Sequence, residues 1–367
     1  MSQPSSQIQP KKNQQLKLSD YYKKGNSTTK PSTPNKPTSP SISPGESETR
    51  QINQRIENNR KAISNPTPNE FKKPTPRQGN ITIVCGETGV GKSYGVIREI
   101  FACLKSDPAK GKVGRPVFIL DSSLEPEYKE LFPNKATIDQ VPHLKEAKCY
   151  RIEPLHPDGT SMNHGEVSDL CVKLCRTQLF NGTAVLDDYD NYASGPAKSR
   201  EMTAIFISNR HRGQDIIIVH QSLGMISPIE MRNATLFRLH KCVTSVDTIR
   251  DRIVNYPLMK IAELIIWEQY HLAEKMYGLG QITEPEYRKR RSFFLYINIR
   301  TSKIVGQISK ECFVRNCKKF IKLNKNIIDN YINMELDGDK NAMSRDEIME
   351  AVIEEQFMTF MPVNKPM

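Results

Sequence analysis

The sequence has no long apolar run. Ile216–Val219 and Leu264–Trp267 are among its longest, far short of the roughly 20 residues that a membrane-spanning helix needs. The N-terminus is polar and carries no apolar stretch of the kind that marks a secretory signal. The expectation is a protein that is not secreted and has no membrane span. None of the eight cysteines forms a CxxC pair, and Cys171/Cys175 and Cys312/Cys317 are poorly spaced for a metal. Reduced intracellular thiols are the reading. Apolar residues make up only 37% and mean hydropathy is −0.56, too little for a chain folded throughout.

What is abundant is positive charge, a formal net of +12. It is unevenly spread. Residues 1–78 hold 14 basic and 5 acidic residues, and 11 of the 24 prolines. This Pro/Ser/Thr-rich stretch lacks the apolar periodicity of a fold and is predicted to be a disordered basic tail, with 27–44 a linker and Glu48–Ser64 a marginal helix. Residues 335–367 are net acidic, with 3 basic and 8 acidic residues. The expected organisation is a tail over 1–78, an ATPase domain over 79–310, and a C-terminal basic segment with an acidic helix over 311–367.

The folded part opens on chemistry. Ile81–Cys85 is a short β-branched run that suits a buried parallel strand. Gly86, Glu87, Thr88, Gly89, Val90, Gly91, Lys92 and Ser93 follow with the G-x4-G-K-S spacing of a phosphate-binding loop. Val96, Ile97, Ile100, Phe101 and Leu104 then recur at helical spacing. Glycines let the loop's N–H groups turn inward around phosphates, and the helix N-terminus adds its dipole. Lys92 is expected to reach the β- and γ-phosphates of ATP, and Ser93 to ligate Mg²⁺.

A second acidic site is required. Thr183–Leu186 reads as a buried strand ending on Asp187 and Asp188. Asp187 is assigned to the metal and Asp188 to polarising the attacking water, with Asp190 ranked behind it. A third apolar strand, Asp215–His220, ends on Gln221, a sensor for the γ-phosphate if that strand lies beside the loop strand. Arg210 and Arg212 stand just ahead of it. They are candidates for an arginine finger into a neighbouring subunit, or for surface or DNA-phosphate contacts.

The ordered series GETGVGKS, TAVLDDYD, NRHRGQDIIIVHQS and SPIEMRNATLFRLHKC resembles the HerA/FtsK superfamily of pumping ATPases. Within it the chain looks most like the genome-packaging ATPases of double-jelly-roll DNA viruses, including the poxvirus type. The resemblance covers about residues 79–310. It implies a RecA-like P-loop NTPase core, a ring homo-oligomer (often a hexamer) and ATP-driven translocation of double-stranded DNA. It also implies Arg210 or Arg212 as the finger acting in trans, Gln221 as sensor, and Arg232 at a matching position. Capsid portal vertex proteins become partners, and the host cytoplasm, the nucleus or the virion becomes the location. Asp188 departs from the pattern, since many relatives carry Glu there.

The coarse pattern agrees with an α/β fold whose parallel sheet is flanked by helices, followed by a C-terminal α+β extension. Strands are predicted at Pro116–Leu120, Cys149–Ile152 and Thr235–His240. Helices are predicted at Gly165–Phe180, near Lys198–Ser208, at Met259–Tyr277 and at Ser344–Phe360. A hairpin is expected around Arg300. Arg288–Arg291 and the series Lys310, Arg315, Lys318, Lys319, Lys322 and Lys325 fit either a DNA-contacting channel wall or a solvated basic face.

The tail holds one further pattern. Gln15, Leu18, Tyr21 and Tyr22 resemble the sliding-clamp (PCNA) interacting peptide, in which a short turn presents an apolar plug. Two other functions compete with a DNA motor. A zonula-occludens-toxin-like phage-assembly ATPase has a similar Arg-His-x-Gly-strand-Gln block but usually a membrane span. A clamp-recruited ATP-dependent switch predicts little stimulation by DNA.

Overall fold

The computed structural model describes residues 79–107, 109, 111–193, 200–334 and 344–361. The basic tail, its clamp-like peptide and the Glu48–Ser64 pattern lie outside the described residues.

Eight strands form one sheet: β1 (Ile81–Cys85), β2 (Val117–Leu120), β3 (Cys149–Ile152), β4 (Thr183–Leu186), β5 (Asp215–His220), β6 (Leu236–Leu239), β7 (Leu295–Asn298) and β8 (Lys303–Val305). Their order is β3-β2-β4-β5-β1-β6-β7-β8. The first six are parallel, and the β7–β8 hairpin closes one edge antiparallel. The hairpin expected around Arg300 is this extension.

Both faces of the sheet are covered, which is why its strands read as unbroken apolar runs. Successive residues alternate between two cores. Ile81, Ile83, Phe118, Leu120, Ala184, Leu186, Ile216 and Ile218 face one. Val84, Val117, Ile119, Val185, Ile217 and Val219 face the other. Fully burying one such side chain contributes about 1.5–3 kcal/mol. The second face is covered by α1 (Lys92–Leu104), through Val96, Ile97 and Ile100, and by α2 (Pro126–Leu131) with the Phe132 that follows it.

The other face receives the remaining large helices. These include α3 (His164–Lys173), which widens into a π-helical turn at Leu174–Gln178, a short α4 (Tyr189–Tyr192), and α5 (Arg200–Ser208). The short α6 (Pro228–Asn233) starts on a capping box between Ser227 and Glu230. Helix α7 (Tyr256–Gly278) is the longest and has Asn255 as its N-cap. After it come α8 (Glu284–Arg291), α9 (Lys310–Leu323) and α10 (Asn326–Met334). The last, α11 (Arg345–Val352), continues through a π turn and a 3₁₀ turn to Phe360. Its Ile348, Met349, Val352, Phe357 and Phe360 join the same core as β7 and α9. The acidic C-terminal helix therefore caps its own chain's core. Among the described residues, no helix is long and apolar enough to cross a membrane.

Candidate nucleotide site

The order β4-β5-β1 settles where the motifs meet. Because these strands are parallel, their C-terminal ends share one edge of the sheet. The loop Gly86–Ser93 leaves β1 there, Asp187 and Asp188 leave β4, and Gln221 leaves β5 between them. In parallel sheets ligands bind along this edge.

The loop is built for an anion. Gly91 is the N-cap of α1 with φ +82, a left-handed conformation that favours glycine. A Cβ added there would meet the Cβ of Ser292 at 2.8 Å, so the loop also packs closely on the residue after α8. Val90 is buried and anchors the loop, while a Cβ at Gly89 meets nothing within 4 Å and the crest stays open. Lys92 Nζ donates to the Glu87 carbonyl at 2.9 Å and has no carboxylate partner among the described residues. Burial lowers its pKa, against the opposing pull of Cys85, Asp187 and Asp188. A half-buried ammonium satisfied by one carbonyl fits a phosphate guest. Glu87 is held from outside: its Oε1 lies 2.7 Å from Lys241 Nζ, and that ammonium sits over the rings of Tyr270 (4.2 Å) and Trp267 (4.9 Å) of α7.

Beneath the loop lies a group that sequence reasoning missed. Arg238 of β6 is fully buried. Its Nη1 donates to Glu99 at 2.7 Å and its Nη2 to the carbonyl of Lys92 at 2.8 Å. Tyr296 also hydrogen-bonds Glu99. The signal was present as one charged residue inside the apolar strand LFRL.

The two acids differ in environment. Asp187 is 7% exposed, and its Oδ1 accepts the Asp188 N–H at 3.1 Å. Burial pushes its pKa up to about 6, opposed by the Tyr128 hydroxyl and reinforced by the Asp188 charge. A buried carboxylate of this kind gains from a cation. It and the Ser93 hydroxyl are both oxygen donors, the kind suited to a hard ion such as Mg²⁺. Asp188 is half-buried and left-handed, φ +46, a strained position for a residue other than glycine. Its Oδ1 accepts from Gln221 Nε2 at 3.0 Å, and its Oδ2 accepts from Ser123 Oγ. Ser123, on the loop after β2, was not anticipated.

The structure thus brings together Gly86–Ser93, Asp187, Asp188 and Gln221. It does not bring Arg210 or Arg212 to them. Both precede β5, at the opposite end of a strand whose residues rise about 3.3 Å each, so about 20 Å separates them from Gln221. Arg212 is engaged locally. It bonds the carbonyls of Arg176 and Leu179 (the latter at 3.2 Å) and lies 3.9 Å over the Phe180 ring. Arg210 is exposed and has no ion pair among the described residues; Arg300 of the β7–β8 turn is close enough for the two charges to repel. Arg232, on α6, is exposed and also precedes its strand.

The basic series on α9 is partly neutralised. Arg315 and Lys319 both pair with Glu268 of α7 at 2.5 Å, and Lys318 pairs with Glu350 at 3.0 Å. Lys310, Lys322 and Lys325 stay exposed. On α8, Arg288 pairs with Glu284 at 2.8 Å, whereas Lys289 and Arg290 are exposed and have no ion pair among the described residues.

The fold and the loop define a P-loop NTPase: a phosphate loop between strand and helix, an acid pair on β4, and a polar residue ending the strand between. Within that class the motifs resemble the HerA/FtsK group. No family model matches the chain, and no curated protein matches it. Solved structures similar to it include the genome-packaging NTPase B204 of Sulfolobus turreted icosahedral virus 2, at 14% identity and TM-score 0.39, covering 62% of this chain and 95% of that one. The N-terminal domain of zonular occludens toxin from Neisseria meningitidis matches at 13% identity and TM-score 0.27, over 44% of this chain and 76% of that one. The ATPase DotB of Legionella pneumophila matches at 17% identity and TM-score 0.29, over 62% and 64%.

Proposed function

We propose that the chain is an ATP-hydrolysing motor that moves double-stranded DNA, of the kind that packages viral genomes into capsids. The observation that carries the reading is the Gln221–Asp188 hydrogen bond, 3.0 Å, which ties the ends of β4 and β5 together beside the phosphate loop. ATP held by Gly86–Ser93 directs its γ-phosphate toward that pair. Ser93 and Asp187 would hold Mg²⁺, which would supply positive charge to offset that of the phosphates. Asp188 polarises the attacking water, and Gln221 reads the γ-phosphate.

The finger is supplied by a neighbour in a ring, a hexamer by resemblance. Of the two candidates, Arg210 is exposed with no ion pair among the described residues, whereas Arg212 is occupied within its own chain. Lys289 and Arg290, on a helix whose end abuts Gly91, are the DNA phosphate contacts this reading favours. Portal vertex proteins, and a sliding clamp reached by Gln15–Tyr22, complete the proposed partners, in the host cytoplasm or nucleus or in the virion.

The test is ATP turnover with and without duplex DNA for wild type, Lys92→Ala and Asp188→Asn. The motor reading expects DNA-stimulated hydrolysis that both substitutions abolish. Turnover indifferent to DNA, from a protein that stays monomeric, overturns it.

A further inference from the structure

His220, the last residue of β5, is wholly buried, yet it lies between two carboxylates. Its Nδ1 is 2.6 Å from Asp190 Oδ1 on α4, and its Nε2 is 3.6 Å from Glu230 Oε1 on α6. The Tyr189 ring meets it edge-on at 5.6 Å. Its backbone carbonyl accepts the N–H of Gly86, the first residue of the phosphate loop, at 3.3 Å. The second oxygen of Asp190 accepts the backbone N–H of Gln221 at 2.8 Å. Gln221 Nε2 then reaches Asp188. The contacts close a ring: Asp188, the chain to Asp190, across to His220 and Gln221, and back to Asp188.

We propose that His220, acting with Asp190, is a positioning residue for hydrolysis, which sets the Gln221 side chain against Asp188 and registers both to the phosphate loop. The inference rests on the ATPase reading. A buried imidazole beside one buried and one partly buried carboxylate carries a large desolvation cost, and apolar residues of similar volume would fill the space at least as stably. What apolar residues do not supply is direction. A carboxylate that accepts from both an imidazole N–H and the Gln221 N–H fixes that backbone in one orientation. Burial alone drives the imidazole toward its neutral form, but the Asp190 hydrogen bond and the nearby Glu230 carboxylate outweigh it and raise its pKa. Fixing Gln221 within a fraction of an ångström matters because orientation of the attacking water is a large part of the rate.

The experiment is a double-mutant cycle on steady-state ATP hydrolysis by the full chain, combining His220→Leu with Gln221→Ala. His220→Leu is expected to lower kcat about tenfold while KM stays within about threefold. His220→Asn, which keeps an N–H for Asp190, is expected to recover part of the loss. In the Gln221→Ala background His220→Leu is expected to cost less than about twofold more, because its effect runs through Gln221. Losses that multiply in full, or a loss carried by KM with kcat unchanged, overturn the proposal. If His220→Leu does not fold, Asp190→Asn takes its place in the same cycle with the same two outcomes. A wild type that binds ATP and Mg²⁺ without hydrolysing it sinks the ATPase reading itself, a result distinct from additivity in an active enzyme.

Discussion

Arg238 and Glu99 form an ion pair at 2.7 Å, between the strand next to β1 and the helix that the phosphate loop starts. The same guanidinium donates to the carbonyl of Lys92. One buried cation therefore holds the first turn of α1 to the sheet. Gly95 makes room for it, since a Cβ there would meet Arg238 Nη1 at 2.7 Å.

Removing that cation takes from Glu99 its ion-pair partner, leaving it the Tyr296 hydroxyl, and takes a donor from the Lys92 carbonyl. Arg238→Met is expected to destabilise the fold by about 3–5 kcal/mol, the usual cost of breaking a buried pair from one side. Urea denaturation measures it. Adding Glu99→Gln should recover part of the loss, because the stranded charge is gone.

Gly91 and Gly89 separate two effects that glycine can have. Both have positive φ, +82 and +80. At Gly89 added bulk meets nothing, whereas at Gly91 it meets Ser292 at 2.8 Å. Gly89→Ala should thus pay only backbone strain, about 1–2 kcal/mol. Gly91→Ala should also push the loop off the end of α8 and weaken nucleotide binding more. Titration with a fluorescent ATP analogue ranks the two, and equal affinities would contradict the close packing of the loop on Ser292.

Glu268 supplies a pH dependence with a defined sign. Burial pushes its carboxyl up, but hydrogen bonds and charges from Arg315 and Lys319 outweigh this and bring it down to about 2. A carboxylate depressed in the fold stabilises above its ordinary pKa, 4.5, and loses that contribution as pH falls toward 2. Glu268→Gln should therefore lower the melting temperature at pH 7. The gap to wild type should narrow as pH drops below about 4.5. Melting curves at pH 7, 5 and 3.5 follow it, and a gap that does not change with pH argues against the ion pair as its source.

How much of this was legible depends on distance along the chain. The strands were readable because burial on both faces removes the alternation that would otherwise blur them. Lys92, Ser93, Asp187, Asp188 and Gln221 were readable because each ends or follows a strand, and parallel strands deliver such residues to one edge. Asp190 and His220 lie 30 residues apart, and Glu230 follows on another element, so no local pattern joins them. Ser123 reaches Asp188 across 65 residues. Arg315 and Lys319 read as free charge because their partner, Glu268, is about 50 residues away. Helix α3 was expected to run on to Phe180, but it widens at Leu174 and stops before Leu179.

That neutralisation sharpens where DNA contacts should lie. Lys318 and Lys319 are bound to acids of their own chain, while Lys289 and Arg290 are exposed on a helix whose end packs against the phosphate loop. If duplex DNA is the partner, Lys289→Glu/Arg290→Glu should weaken binding more than Lys318→Glu. It should also flatten the dependence of log affinity on log salt by roughly one per lost phosphate contact, because each contact releases about one counterion. Replacing Lys318 should leave that slope alone, since its charge is already balanced by Glu350. Binding to labelled duplex at several salt concentrations gives both numbers. An equal effect from the two sites would remove α8 as the DNA-contacting element, and the exposed Lys310, Lys322 and Lys325 would then be the residues to test.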